Sequence, residues 1–356
     1  MDSSSNEIIH QWGSYIRVYK EGRVERFFGT DKVPSSINST DGVSTKDVLI
    51  APEIDVSARI FIPTSTINSG HKLPLLIYFH GGGFRVGSPF CATYHNYVTS
   101  LVTEASVVAV SIDYRLAPEY LVPTCHEDSW VALKWVASHS NGEGPEEWIR
   151  DYANFGQVFL AGDSGGANIA HDLAARAGIE NLNGVKLTGL CLVHPYFGSK
   201  DSVDESWIFV SPATSGLDDF RYNPAADSRM ASLGCTRVLI CLAEKDVLRQ
   251  RGLFYYETLR KSGWGGEVEI FETEGEGHVG DANGEEFDGV SVEEQHDQSK
   301  NNGDTAIESD EGRSMSGKDN PSNQTTVKVY QRRKPLVNSG IIRLYQLLVI
   351  EFHISS

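Results

Sequence analysis

The sequence predicts an α/β fold, a mostly parallel central sheet with helices on both faces and a small cap. Three observations carry this reading. From Leu75 to Phe271, apolar runs of strand length alternate with helix-patterned segments. Continuous apolar runs mark strands buried on both faces, and their alternation with helices marks parallel βαβ units. Glycine-rich and acidic motifs follow directly on these strands, where open α/β sheets place their ligand sites. One of them, Gly162-Asp163-Ser164-Gly165-Gly166, stands between an apolar strand and a helix. That order is the strand–turn–helix setting of a G-x-S-x-G nucleophile elbow.

Taken in order, the first residues read as a short helix or loop, followed by strand-like Tyr15–Tyr19 and Val24–Phe28 parted by Glu21-Gly22. A Ser/Thr/Asp loop over Ser35–Ser44 leads to strands Lys46–Ile50 and Ala58–Ile62, and the polar linker Thr64–Lys72 ends at Pro74. Then the rhythm changes to buried strand, turn, helix. Strands are expected over Leu75–Phe79, Val107–Ile112, Gln157–Ala161, Leu187–Val193, Arg237–Leu242 and Glu267–Phe271. Helices are expected over Cys91–Ala105, Ser129–Ser138, Ala167–Ala175 and Gly252–Ser262. Between Pro195 and Pro224 the pattern lapses into an aromatic stretch with Trp207, Phe209 and Phe220. It reads as part of a lid over the strand ends or, equally, as a surface loop with a satellite core.

Past His278 the character changes. Residues 281–326 hold twelve Asp/Glu against three Lys/Arg, and Gly280–Lys334 has the polar, aromatic-poor composition of a disordered tail. Residues 335–356 turn apolar again, as a strand or a buried helix, in a run too short to span a bilayer. The expected organisation is an α/β domain over 1–279 with a cap from about 1–45 and 196–224, then the 280–334 tail and the 335–356 segment.

Composition bounds the function. The chain has 356 residues, 40% hydrophobic and 22% charged, with a formal charge of −17, enough for one large α/β domain or two ordinary ones. No basic patch points to nucleic acid. The five cysteines are odd in number and form no C-x-x-C pair, so neither zinc nor a redox motif is read. Met1–Glu7 has no basic or apolar region of a signal peptide. A cytoplasmic protein with no membrane partner is expected, its oligomeric state open.

A serine hydroxyl is a poor nucleophile at neutral pH and needs a positioned base. After Ser164, Asp246 follows the strand Arg237–Leu242, and His278 lies in a glycine-flanked loop after Glu267–Phe271. Singly, Asp246 reads as a helix N-cap and His278 as a solvated loop residue. In the order Ser, Asp, His, each after a strand, they read as a catalytic triad. A second motif, His80-Gly81-Gly82-Gly83-Phe84, follows the strand Leu75–Phe79. Glycines there let backbone N–H groups approach a substrate carbonyl, and Gly82, Gly83 and Gly165 are the expected oxyanion donors. Gly81 shapes the turn and His80 braces the loop. No phosphate-cradling glycine pattern stands in the required frame.

His80-Gly-Gly-Gly-Phe84, Asp113-Tyr-Arg-Leu-Ala-Pro-Glu119 and Gly162-Asp-Ser-Gly-Gly-Ala-Asn168 together resemble the hormone-sensitive-lipase-like branch of the α/β-hydrolases. Glu127–Trp135 and Glu244–Arg249 are similar to the plant carboxylesterases, and to the 2-hydroxyisoflavanone dehydratase-like members among them. Over residues 8–279 the resemblance implies an α/β-hydrolase fold and a cytosolic serine esterase for small-molecule or specialised-metabolite esters, without a cofactor or metal. It also implies that Asp113 and Arg115 belong to the framework. Two alternatives stay open on the same residues, a 2-hydroxyisoflavanone dehydratase-type lyase and a non-catalytic receptor or pseudoenzyme. The chain departs from the family pattern at Arg85, where a small or apolar residue is usual, and in a shorter cap stretch after Phe197. After Val279 an acidic stretch stands where the family has an apolar segment and a closing helix, which predicts an exposed sheet face near Glu267–Phe271 unless Ile341–Ile354 folds back to cover it.

Overall fold

The computed structural model describes residues 6–37 and 40–278, and the backbone of 329–332. A small antiparallel sheet comes first, made of β1 (Ile8–Trp12), β2 (Ile16–Tyr19) and β3 (Val24–Arg26). The stretch expected as a short helix or loop is therefore largely strand. Ile-Ile-His-Gln-Trp has little preference of its own, and pairing with β2 decides its state.

The main sheet contains β4 (Val43–Ala51), β5 (Val56–Pro63), β6 (Leu73–Phe79), β7 (Val108–Asp113), β8 (Ala153–Asp163), β9 (Leu187–Val193), β10 (Arg237–Ala243), β11 (Glu267–Thr273) and β12 (Val329–Arg332). Their order across the sheet is β12-β11-β10-β9-β8-β6-β7-β5-β4. Only β5 runs against its neighbours, so β6 through β12 all point their carboxyl ends to one side. Side chains alternate between the faces, as a strand's period of two requires. Leu75, Ile77 and Phe79 of β6 join one core, while Leu76 and Tyr78 join the other.

The first core is covered by α2 (Thr124–Ala137), α4 (Gly165–Glu180) and α6 (Arg249–Lys261), with the short α3 (Glu147–Tyr152) and α5 (Glu205–Val210) at its margins. The opposite core is covered by α1 (Ala92–Ala105), which buries Tyr94, Val98, Leu101 and Val102. Helix α2 begins well before the expected Ser129, because its first turns bury the polar His126 and Asp128 instead of an apolar stripe.

Strand β12 falls inside the span read as a disordered tail. It lies parallel to β11, from Ile270↔Val329 to Thr273↔Arg332, and pairs an edge that would otherwise offer open N–H and C=O groups. Val and Tyr are good strand formers, which composition over the whole acidic span concealed. The rest of 280–334 and the expectation for 335–356 lie outside the described residues.

Candidate active site

The elbow is built by collision as much as by sequence. Ser164 follows β8 as the N-cap of α4 with φ 50 and ψ −118, a strained backbone that lifts its hydroxyl above the first turn of α4. A Cβ on Gly166 would lie 2.0 Å from the carbonyl oxygen of Phe79, and one on Gly162 would lie 2.4 Å from Gly166. Both positions therefore admit only glycine. Ser164 N–H donates to the carbonyl of Val193 at 2.8 Å, tying the elbow to the end of β9.

Strand order brings the partners in. β8, β9 and β10 are adjacent, with β11 beyond, so the loops bearing Ser164, Asp246 and His278 open at one end of the sheet. The loops of the acid and the histidine are tied directly, by Lys245 N–H to Glu276 O at 2.9 Å and by Gly275 N–H to the Glu244 carboxylate at 2.7 Å. The result is a continuous line. His278 Nδ1 lies 3.0 and 2.9 Å from the two Asp246 oxygens, and His278 Nε2 lies 3.0 Å from Ser164 Oγ. An ionised carboxylate only accepts, so Nδ1 carries the proton and Nε2 is left to accept from the hydroxyl. All three residues are buried. Burial acts to raise the Asp246 pKa, but the hydrogen bond from His278 and the charges of His278 and His194 outweigh it and hold the carboxyl below its ordinary value.

The glycine loop after β6 completes the site. Gly81 N–H is committed to Asp163 Oδ1 and to the Tyr94 hydroxyl, both at 2.9 Å. The N–H groups of Gly82, Gly83 and Gly165 bond to no acceptor among the described residues. Gly165 is the first residue of α4, where N–H groups have no partner within the helix and the dipole favours negative charge. Gly82 has φ +98, and a Cβ there would lie 2.2 Å from the carbonyl oxygen of Val86. His80 is wholly buried, stacked on Tyr114 at 4.3 Å, with its Nδ1 2.8 Å from the Gly81 carbonyl. Burial drops its pKa to about 4, so it sits in the loop as a neutral brace.

Sequence reading missed two supports. Asp163, inside the elbow motif itself, accepts from Tyr78, Tyr94 and Gly81 and so pins the glycine loop to the nucleophile strand. Burial nevertheless keeps its pKa above the ordinary carboxylate value. His194 stands at the end of β9 with φ 45, its Nδ1 3.8 Å from Asp246, and burial drops its pKa to about 4. Its signal was available, since it follows an apolar strand in the same way as His80. Asp113 accepts from Ser88 at 3.0 Å, and Arg115 makes a bidentate pair with Asp128, both away from the triad line. Among the described residues, His194, Asp246 and His278 form the one cluster with metal-ligand geometry. Two of its members are already joined by a proton, which suits proton transfer better than ion binding.

Residues 76–280 match the model of a family described by its alpha/beta hydrolase fold. Probable carboxylesterase 5 of Arabidopsis thaliana is 44% identical over 293 residues, spanning 77% of this chain and 92% of that protein. Probable carboxylesterase 4, mitochondrial, of the same plant is 45% identical over 294 residues, spanning 77% and 78%. A solved Pyrobaculum calidifontis esterase superposes with a TM-score of 0.52 at 27% identity, covering 66% of this chain and 76% of its own. No described helix is long and apolar enough to cross a membrane. The chain belongs to the α/β-hydrolase family, and its relatives there are the plant carboxylesterases.

Proposed function

We propose that the protein is a serine carboxylesterase that hydrolyses small-molecule carboxylic esters through an acyl-enzyme. The observation that carries this is the line from Asp246 through His278 to Ser164, ending beside three backbone N–H groups uncommitted among the described residues. Ser164 Oγ attacks the ester carbonyl carbon while His278 Nε2 takes its proton. Negative charge passes to the carbonyl oxygen, which the N–H groups of Gly82, Gly83 and Gly165 receive, each donor of this kind contributing about 10²–10³ in rate. The intermediate collapses, and His278 returns the proton to the departing alcohol. Water then gives its proton to His278, its oxygen attacks the acyl carbon, and Ser164 leaves with the proton restored. Asp246 holds the imidazole in the required tautomer and stabilises its cation. Ester, water and these groups balance the reaction.

Labelling with an organophosphonate serine probe tests this directly. Parent protein should label and Ser164→Ala should not, with kcat for 4-nitrophenyl acetate reduced by about 10⁴-fold or more. Equal labelling of both would sink the assignment. Running 2-hydroxyisoflavanone beside the acetate separates hydrolysis from elimination at the same base.

The cap over the site is part of the same reading. It consists of the N-terminal segment to about residue 45 and the 196–224 insertion. Its support is the packing of Trp12, Ile16 and Val18 on Val86 of the glycine loop, together with Phe209 of α5. A cytoplasmic location is the finer part of the proposal. It is supported by five buried free cysteines, which suit a reducing compartment. A fluorescent fusion that collected in mitochondria or plastids would overturn it.

A further inference from the structure

Arg85 is the charged residue that hydrolysis leaves unexplained. It stands two positions after Gly83 and is completely buried. The rings of Trp12 and Phe209 each lie 5.0 Å from its guanidinium carbon, and its Nη2 donates to the carbonyl of Ser206. Its Nε and Nη1 bond to nothing among the described residues. The acidic groups facing it are Tyr196 and Asp204. Tyr196 donates to Asp204, and Asp204 is already engaged by Arg251 and by the Trp207 N–H. The remaining titratable neighbour, His10, is kept neutral by burial and by Arg85 itself, its pKa lowered to about 4.

Buried charges in folded proteins are paired or hydrogen-bonded, and a guanidinium in particular does not shed its proton. Aromatic rings on Arg85 leave the guanidinium edge, and that edge is where a planar carboxylate binds. The edge is also next to the site. A Cβ built on Gly83 would lie 3.5 Å from Nη1 and 3.0 Å from the Trp12 ring, so the guanidinium borders the oxyanion loop with the edge of the Trp12 indole filling the corner of that glycine.

We propose that Arg85 is a carboxylate subsite, so that the preferred substrates are half-esters of short dicarboxylic acids, an assignment that rests on the esterase reading above. The ester carbonyl occupies the oxyanion N–H groups while the free carboxylate, at the far end of the acyl chain, takes the buried, unpartnered Nε and Nη1 of Arg85, the Trp12 indole giving way to admit it. Substrate binding then supplies the missing counter-charge, and a neutral acyl chain of the same length leaves it missing.

The test compares 4-nitrophenyl half-esters of succinic, glutaric and adipic acids with 4-nitrophenyl butyrate. In the parent, at least one half-ester should exceed the butyrate tenfold in kcat/KM, and Arg85→Met should lower that ratio at least tenfold. Equal loss on charged and neutral esters would mean that Arg85 only holds the cap, and would overturn the subsite. Calorimetry on the parent decides the matter even if Arg85→Met does not fold. N-methylglutaramic acid should bind at least tenfold more tightly than neutral N,N′-dimethylglutaramide, and equal binding overturns the proposal. The two readings fail separately. Acid-selective binding without phosphonate labelling of Ser164 retains the subsite and removes the esterase, whereas ester turnover without acid preference does the reverse.

Discussion

At the floor of the site, backbone contacts hold each group in place. A Cβ on Gly162 or Gly166 would collide with the main chain of neighbouring segments, one on Gly82 would collide with the Val86 carbonyl, and parallel strands set the loops side by side. In the proposed cap, residues far apart in sequence meet through side chains: His10 of β1 stacks on Phe209 of α5 at 3.6 Å, and Trp12 and Phe209 both lie on Arg85. Below the cap insertion, Asn168 of α4 donates to the carbonyls of Tyr196 and Arg221, and Arg229 bridges Asp172 and Asp227. A floor held by main chain tolerates no change of shape, whereas the proposed cap, held by stacked rings and by the Asn168 amide, can change its lining. Chemistry should therefore be sensitive at the floor, and substrate choice at the cap.

The largest effect that would sharpen this contrast is at Asp246. Asp246→Asn leaves the volume unchanged but offers an N–H to His278, favouring the tautomer whose Nε2 cannot accept from Ser164. We expect kcat to fall about 10⁴-fold with an unchanged circular dichroism spectrum, and a loss below tenfold would break the assignment. Next comes the oxyanion loop. Gly82→Ala places a methyl group 2.2 Å from a carbonyl oxygen at φ +98, which displaces a donor and should lower kcat about 10²–10³-fold. Activity within twofold of the parent would show that this N–H is not used.

The third effect is on stability in acid. His80 and His194 have their pKa values lowered to about 4 by burial. Folding therefore excludes protons that the unfolded chain binds below about 6.5. The stabilisation is complete above that value and is lost as pH falls from about 6.5 towards 4. Each histidine should remove about 2 kcal/mol between pH 7.5 and pH 5. Urea unfolding of the parent and of His80→Asn at both values measures this, and an equal acid loss in the two proteins would refute it. The smallest effect belongs to the proposed cap. Phe209→Ala removes the stack on His10, an interaction of the kind that contributes about 0.5–1.5 kcal/mol. KM for short esters should rise about three- to tenfold, by more than kcat falls. A larger effect on kcat than on KM would dissolve the distinction between floor and cap.

How legible these regions were follows from the same physics. β9 was expected over Leu187–Val193 and has those bounds, because every residue of it is buried and the run is bracketed by the polar Lys186 and His194. β8 extends past its expected ends, since the polar Asn154 and Gln157 sit in the strand by bonding each other. Helices α3 and α5 were not read at all. Each is six residues long, too short to show a period, and each is started by a side-chain cap, Glu146 to Trp148 N–H and Asp204 to Trp207 N–H. In the site, the residues proposed for catalysis stood out because each follows a strand or lies in a glycine turn. Asp163 did not, although it lies inside the same motif, because its partners Tyr78 and Tyr94 come from β6 and α1.

By itself the sequence determined the parallel α/β architecture and the turns that bear Ser164, Asp246, His278 and the glycine loop. Those are local matters, set by strand length, burial period and the few backbone shapes glycine permits. Only the tertiary structure decided which N–H groups stay uncommitted among the described residues, that His194 stands beside Asp246, and that Arg85 lies beneath Trp12 and Phe209 with no carboxylate partner among those residues. These depend on which strands are neighbours and on which distant side chains close over them, and no single stretch of chain encodes either.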